Sequence, residues 1–480
     1  MVYKIQNAET DKPVKLFIGV FFIIMLMLSF LFSGTGDEGD SVMHYLMARH
    51  AFGRPAFFFD QWAKPVYVML AAPFAQLGFW GVKLMNILLA CGSIWFTYKT
   101  AKNLVVPFPW MAAVIFVFIP MNISLILSGL TEPLFAFVLI WGIYKLVNDE
   151  YYRGLTLLSF LPFVRSEGLI VLCVLLVYLI IKEQYQLIPI LATGHVVYSL
   201  LGYFVHKDFL WVFNNMSYAT WSSAYGSGKW THFISKLPEI AGKAGAIFTF
   251  IGIFWGLILL IKWFRKKITL TEEKELFLVY GIFVTFFIGH SAFWALGIFN
   301  SMGLLRVMVG AMPLFAIVIL QGMHFVIAPL QQFSINRYIL YFLFGVMVIY
   351  PFSNDVFALH WERDLVLKAD QYADRELAVF VKRNYPDYKK YEFYYEPCYL
   401  SVVLNQNYFN EKEHKRLLNA FENSQFADKC FIIWDDWFAI QEGRITLEKI
   451  EQDSRFEKIK VFQQKNYWGT IRTTILFRKK

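Results

Sequence analysis

The stretch Gly34–Asp40 reads GTGDEGD and sets Asp37, Glu38 and Asp40 directly after a long apolar run. A carboxylate there can act as a general base, taking the proton that an attacking hydroxyl must lose. The same residues also suit a solvated turn that stops a helix. Lys64 precedes Pro65 in the same loop. It can supply a point charge to a phosphate, or snorkel to lipid headgroups. Glu132, in GLTEPLF, opens an apolar segment. Thr131 can cap that helix with Glu132 and Pro133 in its first turn, or the carboxylate can face a cavity. Arg165 and Glu167 fall where two short apolar pieces meet at VRSEG. They can pair with each other, but a pair held at depth is costly without a use. Arg306, in NSMGLLRVMVG, has a fork that suits a phosphate or a headgroup. Trp221, Tyr225 and Trp230 lie in one polar stretch. They suit a sugar or acceptor platform, or an interfacial aromatic belt. His232 and His290 stand alone, and the acidic WDDW at 434–437 reads as the end of a strand.

These residues need a frame, and composition supplies it. Of 480 residues, 57% are hydrophobic and 17% charged, against roughly 25% charged in a soluble globular chain. Leu16–Phe32 carries no charge over seventeen residues, and a membrane helix needs about 20 mostly apolar ones. No A-x-A cleavage pattern follows, so this run is expected to be a retained first span. The net charge of +9 then encodes orientation and headgroup contact rather than nucleic-acid binding. No glycine-rich phosphate loop suggests a nucleotide.

About eleven spans are expected, near 16–33, 81–98, 107–127, 133–147, 154–164, 168–181, 187–205, 244–263, 276–298, 307–328 and 338–352. Lys4, Lys12, Lys15, Lys99, Lys102, Lys262, Arg265, Lys266, Lys267 and Arg337 then share one side, taken as cytoplasmic. Lys207, Lys229, Lys236 and Lys243 fall on the other side, in a longer loop. Pro65–Trp80 is apolar but only sixteen residues long, with Pro73 inside, and reads as interfacial or re-entrant. Residues 1–353 form the expected transmembrane domain, with outer loops at about 34–80 and 206–243. Composition turns polar after that, and 354–480 reads as an extracytoplasmic α/β domain with helix-like DRELAVFVKRNY and strand-like CFIIWDDW and IRTTILF. Cys91 and Cys173 lie in apolar spans as packing residues. Cys398 and Cys430 are allowed a disulfide if their domain is outside.

An Asp-Glu pair after the first span, an outer stretch ending in Lys-Pro, SGLTEPLFAFVLIWGIYKL and LLSFLPFVRSEGLIVL follow one another in order. In that order they resemble the GT-C superfamily of membrane glycosyltransferases, over about residues 1–350. The branch most resembled contains protein O-mannosyltransferases and lipid A aminoarabinose transferases. The resemblance implies transfer of a sugar, hexosyl or mannosyl in type, from a polyprenyl-phosphate carrier to an extracytoplasmic lipid, glycan or protein, with inversion. It implies Asp37 as base, Glu38 as its acidic neighbour and Lys64 at the donor phosphate, and Arg165 and Arg306, by their charge, are expected to join Lys64 there. Glu132, Glu167, Trp221 and Tyr225 would line the substrate cavity. A bacterial inner membrane is the implied location. In the aminoarabinose branch a Glu precedes the Lys and helps hold a metal; here that position is Ala63, so a divalent metal is allowed but not implied, and no other cofactor is expected. The C-terminal part lacks β-trefoil repeats. The rival reading, a secondary transporter or lipid flippase, predicts internal repeats, and none stands out.

Overall fold

The computed structural model describes residues 11–217, 221–223, 225–330 and 336–480; Lys4, one of the orienting cations, lies outside them. Uncharged apolar runs produce the helices. The chain rises through α1 (Lys12–Leu31), passes α2 (Asp40–His50) and α3 (Pro65–Ala75), and returns through α4 (Phe79–Asn103). α1, α4 and the helical stretches Tyr185–His206, Leu237–Phe264, Leu270–Leu296 and Leu305–Ile327 are the 6 described helices long and apolar enough to cross a membrane. The pair α5 (Pro109–Phe118) and α6 (Pro120–Ile126), bent by 69°, makes up to 7. The bend has a local cause: Pro120 offers no N–H and holds Ile119 in extended backbone, φ −69° and ψ 120°. The chain is therefore an integral, multi-pass membrane protein. Length alone does not support eleven crossings. The other four expected spans are shorter helices: α7 (Glu132–Val147), the broken α8 (Tyr151–Ser159) and α9 (Leu161–Val164), α10 (Gly168–Ile181), and Asn336–Ile349.

Polar contacts sort the helix ends. Asp11 accepts hydrogen bonds from Tyr98 at 2.9 Å and from Lys99 and Lys102 at 3.0 Å. Asn103 donates to Asn148 at 2.6 Å. Lys274 pairs with Asp149 at 2.8 Å, and Lys182 with Glu273 at 2.7 Å. The start of α1 and the ends of α4, α7 and α10 thus share one end of the bundle. Because α1 starts where α4 finishes, the chain between them leaves and returns on the opposite end. α3, only 11 residues and about 16 Å long, makes no net crossing, as the sequence suggested for this segment.

Residues 32–46 and 361–480 form a second compact unit, separate from the helical one. The expected boundary at 354 put the Asp37 loop in the transmembrane domain, whereas its contacts lie with the C-terminal residues. A five-stranded sheet of order β2-β1-β3-β5-β4 organises this unit. β1 (Glu392–Tyr394) pairs in parallel with β2 (His414–Lys415) and β3 (Cys430–Asp435). β3 pairs antiparallel with β5 (Ile471–Lys479), which pairs antiparallel with β4 (Phe456–Lys465). β3 is buried along all six residues. Phe431 and Ile433 face one core with Leu377 and Val381, and Ile432 and Trp434 face the other with Phe456 and Phe477, as strand alternation requires. Cys398 and Cys430 are both free thiols: one opens a helix and the other opens β3, so the disulfide allowed by the sequence is not formed.

Candidate functional site

In the helical unit the residues singled out by sequence assemble around Glu132. Tyr67 of α3 donates to Gly129 O at 2.6 Å, and Asn86 of α4 donates to Ser128 O at 2.8 Å and Leu130 O at 3.2 Å. These bonds fix the turn that delivers Glu132 to the first position of α7. Glu132 is fully buried. Its Oε1 lies 2.9 Å from Arg165 Nη1 and 3.6 Å from Arg306 Nε. Arg165 sits in the break between α9 and α10, with extended backbone at φ −157° and ψ 139°. Its other nitrogen meets Glu167 at 2.8 Å. A Cβ at Gly168 would lie 2.4 Å from Leu161 C, so glycine lets the break close tightly enough to point Arg165 inward. Arg306 arrives from a 3-10 turn, Leu305–Ala311. Thr131 does not cap α7, contrary to expectation; its hydroxyl accepts from Arg165 at 3.0 Å instead. A guanidinium beside it makes the stronger, charge-assisted bond.

Lys64 is buried at the N-terminus of α3, where φ is 66° and ψ 93°. A non-glycine residue held there stores of order 1–3 kcal/mol of strain. Its ammonium donates to Gln61 O at 3.4 Å and lies within electrostatic reach of Glu167. Ala63, beside it, donates its N–H to Asp60 at 2.9 Å. Among the described residues, no group of three His, Cys, Asp or Glu side chains could hold a metal ion. Lys64, Arg165 and Arg306 thus gather with Glu132 and Glu167 in one part of the helical unit. Guanidinium and ammonium groups gathered in this way suit a phosphate ligand. His290, set aside in the sequence, is buried within electrostatic reach of Glu167 and Arg165. Its isolation in the chain gave no sign of this. Trp221 and Tyr225 are exposed at 85% and 53%. Trp221 stands tilted against Phe299, centroids 6.1 Å apart.

In the second unit, Asp37 Oδ1 accepts from the Ser41 N–H at 3.0 Å and the Ser41 hydroxyl at 2.6 Å. Its carboxylate thereby holds the start of α2 as well as any chemical role. Glu38 is half-buried, within electrostatic reach of Asp370. Gln371, which no sequence motif marked, bonds to the carbonyls of both residues.

No protein-family model matches the chain, and neither does any curated protein. The fold is another matter. ArnT from Cupriavidus metallidurans, bound to undecaprenyl phosphate, matches 97% of this chain and 98% of its own with a TM-score of 0.59 at 11% identity. The apo state of the same protein matches over the same shares, with a TM-score of 0.54 at 10% identity. This chain has the ArnT fold. The expected helical membrane architecture with a small C-terminal α/β domain therefore holds at the level of fold.

Proposed function

We propose that this protein transfers one sugar from a polyprenyl-phosphate carrier to an acceptor hydroxyl on the non-cytoplasmic face of a bacterial inner membrane, inverting the anomeric carbon. The observation that carries this reading is the buried cluster in which Arg165 and Arg306 share Glu132, with Lys64 in reach. Three cations and two carboxylates meet there, and the fold of the chain resembles that of a protein crystallised with undecaprenyl phosphate. In the proposed step the acceptor oxygen attacks the anomeric carbon and gives its proton to Asp37. The bond from that carbon to the phosphate oxygen breaks, and its electron pair leaves with the carrier phosphate. Lys64, Arg165 and Arg306 compensate the charge that grows there, where fixed cations are worth most. Glu38 is the nearest substitute base in sequence. Glu132 and Glu167 hold the two arginines in place. Trp221 and Tyr225, both exposed, offer ring faces to the sugar or the acceptor. The sugar is assigned as a hexose of the mannose type on family resemblance.

The test is direct. Purified full-length protein is incubated with undecaprenyl-phosphate-linked mannose, glucose, galactose and aminoarabinose in the presence of an inner-membrane lipid and glycan extract. Release of undecaprenyl phosphate from one of them is expected. Release from none, with those lipids moved intact across proteoliposome membranes, would replace this reading with a flippase.

A further inference from the structure

The C-terminal unit makes its densest polar contacts with the short segment that carries Asp37. Gln371, on the Ala369–Asn384 helix, is fully buried. A buried amide is tolerated only when its hydrogen bonds are made, and here the segment makes them. Gln371 Nε2 lies 2.9 Å from Thr35 Oγ1 and donates to Asp37 O at 3.0 Å and Glu38 O at 3.3 Å. Its Oε1 accepts the Lys368 N–H at 3.2 Å. The Thr35 hydroxyl in turn reaches Asp37 O at 2.7 Å. Two further contacts hold the flanks. Gly34 donates its N–H to Leu365 O at 3.0 Å, and an added Cβ there would lie 2.4 Å from that oxygen. The Cys398 thiol reaches Gly39 O at 3.5 Å, with the Phe438 ring beside Gly39.

From this geometry we infer that Gln371 is a positioning residue: it clamps the Asp37–Glu38 backbone, so the C-terminal unit serves as the mount of the reactive carboxylates. The inference rests on the glycosyltransferase reading for its consequence, but not for its geometry. Residues 32–39 have no regular structure of their own. Their carbonyls would otherwise be satisfied by water, and the carboxylate would sample many directions. Ser41 fixes the Asp37 carboxylate and Gln371 fixes its backbone, so the two act on the same group from opposite ends. A displacement of about 1 Å at a reacting group can cost roughly 10²-fold in rate.

The test uses full-length Gln371→Leu, which keeps the bulk and removes the amide. Amide hydrogen exchange at 33–39 is expected to rise at least about tenfold, since three loop contacts go. Turnover should fall about 10²-fold in kcat with half-saturation by the undecaprenyl-phosphate sugar unchanged. Compared with the parent protein at the same pH, so that protonation of Asp37 itself cancels, Gln371→Glu should lose less turnover at low pH, where the protonated side chain can again donate to Asp37 O. Unchanged exchange in Gln371→Leu overturns the clamp. Faster exchange with full turnover, while Asp37→Asn is inactive, overturns the positioning role. Faster exchange with Asp37→Asn also fully active removes Asp37 from the chemistry and leaves the clamp standing. If Gln371→Leu does not purify as a monodisperse protein, Thr35→Val carries the same measurements, with a smaller rise in exchange expected and none overturning the clamp.

Discussion

Two carboxylates and three cations carry the chemical proposal, and the contacts of each predict different consequences for its loss. Asp37→Asn keeps the Oδ1 that accepts from Ser41, so the start of α2 should survive. What it removes is the proton acceptor, and general-base contributions run to about 10²–10⁴-fold. Transfer at saturating donor should fall by that factor with donor affinity retained, and Glu38→Gln should do less. Near-normal transfer by Asp37→Asn with a loss in Glu38→Gln would reassign the base. The arginines differ from one another. Arg306→Ala leaves Glu132 paired to Arg165 at 2.9 Å, so the fold should persist while binding of undecaprenyl phosphate weakens about 10–100-fold, the loss of a charged hydrogen bond worth about 1.5–3 kcal/mol. Arg165→Ala takes the 2.9 Å partner from Glu132, leaving it Arg306 at 3.6 Å, and the 2.8 Å partner from Glu167, and should destabilise the protein by up to about 3–5 kcal/mol. Equal stability of the two variants would contradict the arrangement around Glu132. The sequence pointed to each of these residues, because ionisable groups inside apolar runs are rare enough to be conspicuous. It could not rank them, because the ranking depends on which oxygen each nitrogen meets. The cap and the cavity stayed equal alternatives at Thr131–Glu132 for the same reason: the local pattern is a capping pattern, and the arginine that claims the Thr131 hydroxyl is 34 residues away.

At the scale of elements, the Ala369–Asn384 helix carries a second property. Asp370 and Asp374 lie one turn apart on its buried face. Burial first, and then the charges of Glu38 and Asp435, push Asp370 up to about 7. Burial first, and then Asp370 and Asp435, push Asp374 well above its ordinary 3.8, against a hydrogen bond from Thr474 at 3.2 Å. In the unfolded chain both would ionise near 3.8. Between that value and about 7 the folded unit holds protons that the unfolded chain has lost. The stability from these groups is therefore full below about pH 4 and declines as pH rises through 7. Asp374→Asn removes one of these protons from the balance. Its thermal midpoint relative to the parent protein should be higher at pH 8 than at pH 5. An equal difference at both values would show that Asp374 is ionised when folded. The helix and the strands β3 and β5 were legible from apolar alternation and periodicity. The mounting of the Asp37 segment was not, because Gln371 follows it by more than 330 residues and an amide in a helix has no pattern of its own.

At the scale of the molecule, the same alternation of apolar run and basic turn that gave the spans also gives an orientation. Lys99 and Lys102 meet Asp11 at the start of α1, and Lys182, Lys262 and Lys274 pair with acidic partners in neighbouring turns. Arg265, Lys266 and Lys267 extend the same turn. This is the cation-rich end of the bundle, and the proposed orientation puts it in the cytoplasm, the side that holds the excess of Lys and Arg in short loops. Parity supports the same result. Both seven crossings and the eleven read from sequence are odd, so the proposed topology expects residues 354–480 on the non-cytoplasmic side of the membrane. A count of six would return them to the cytoplasm, which makes the bent α5–α6 pair and the shorter helices decisive. Single cysteines separate these outcomes. Asp428 has a fully exposed side chain in the C-terminal unit, and Lys266 is exposed in the cation-rich turn. In spheroplasts, a membrane-impermeant maleimide should label Asp428→Cys at once and Lys266→Cys only after permeabilisation. The parent protein, with its four native cysteines, supplies the background. The reverse pattern would put Asp37 and the C-terminal unit in the cytoplasm, where soluble nucleotide sugars are the available donors, and would remove the case for a lipid-linked one.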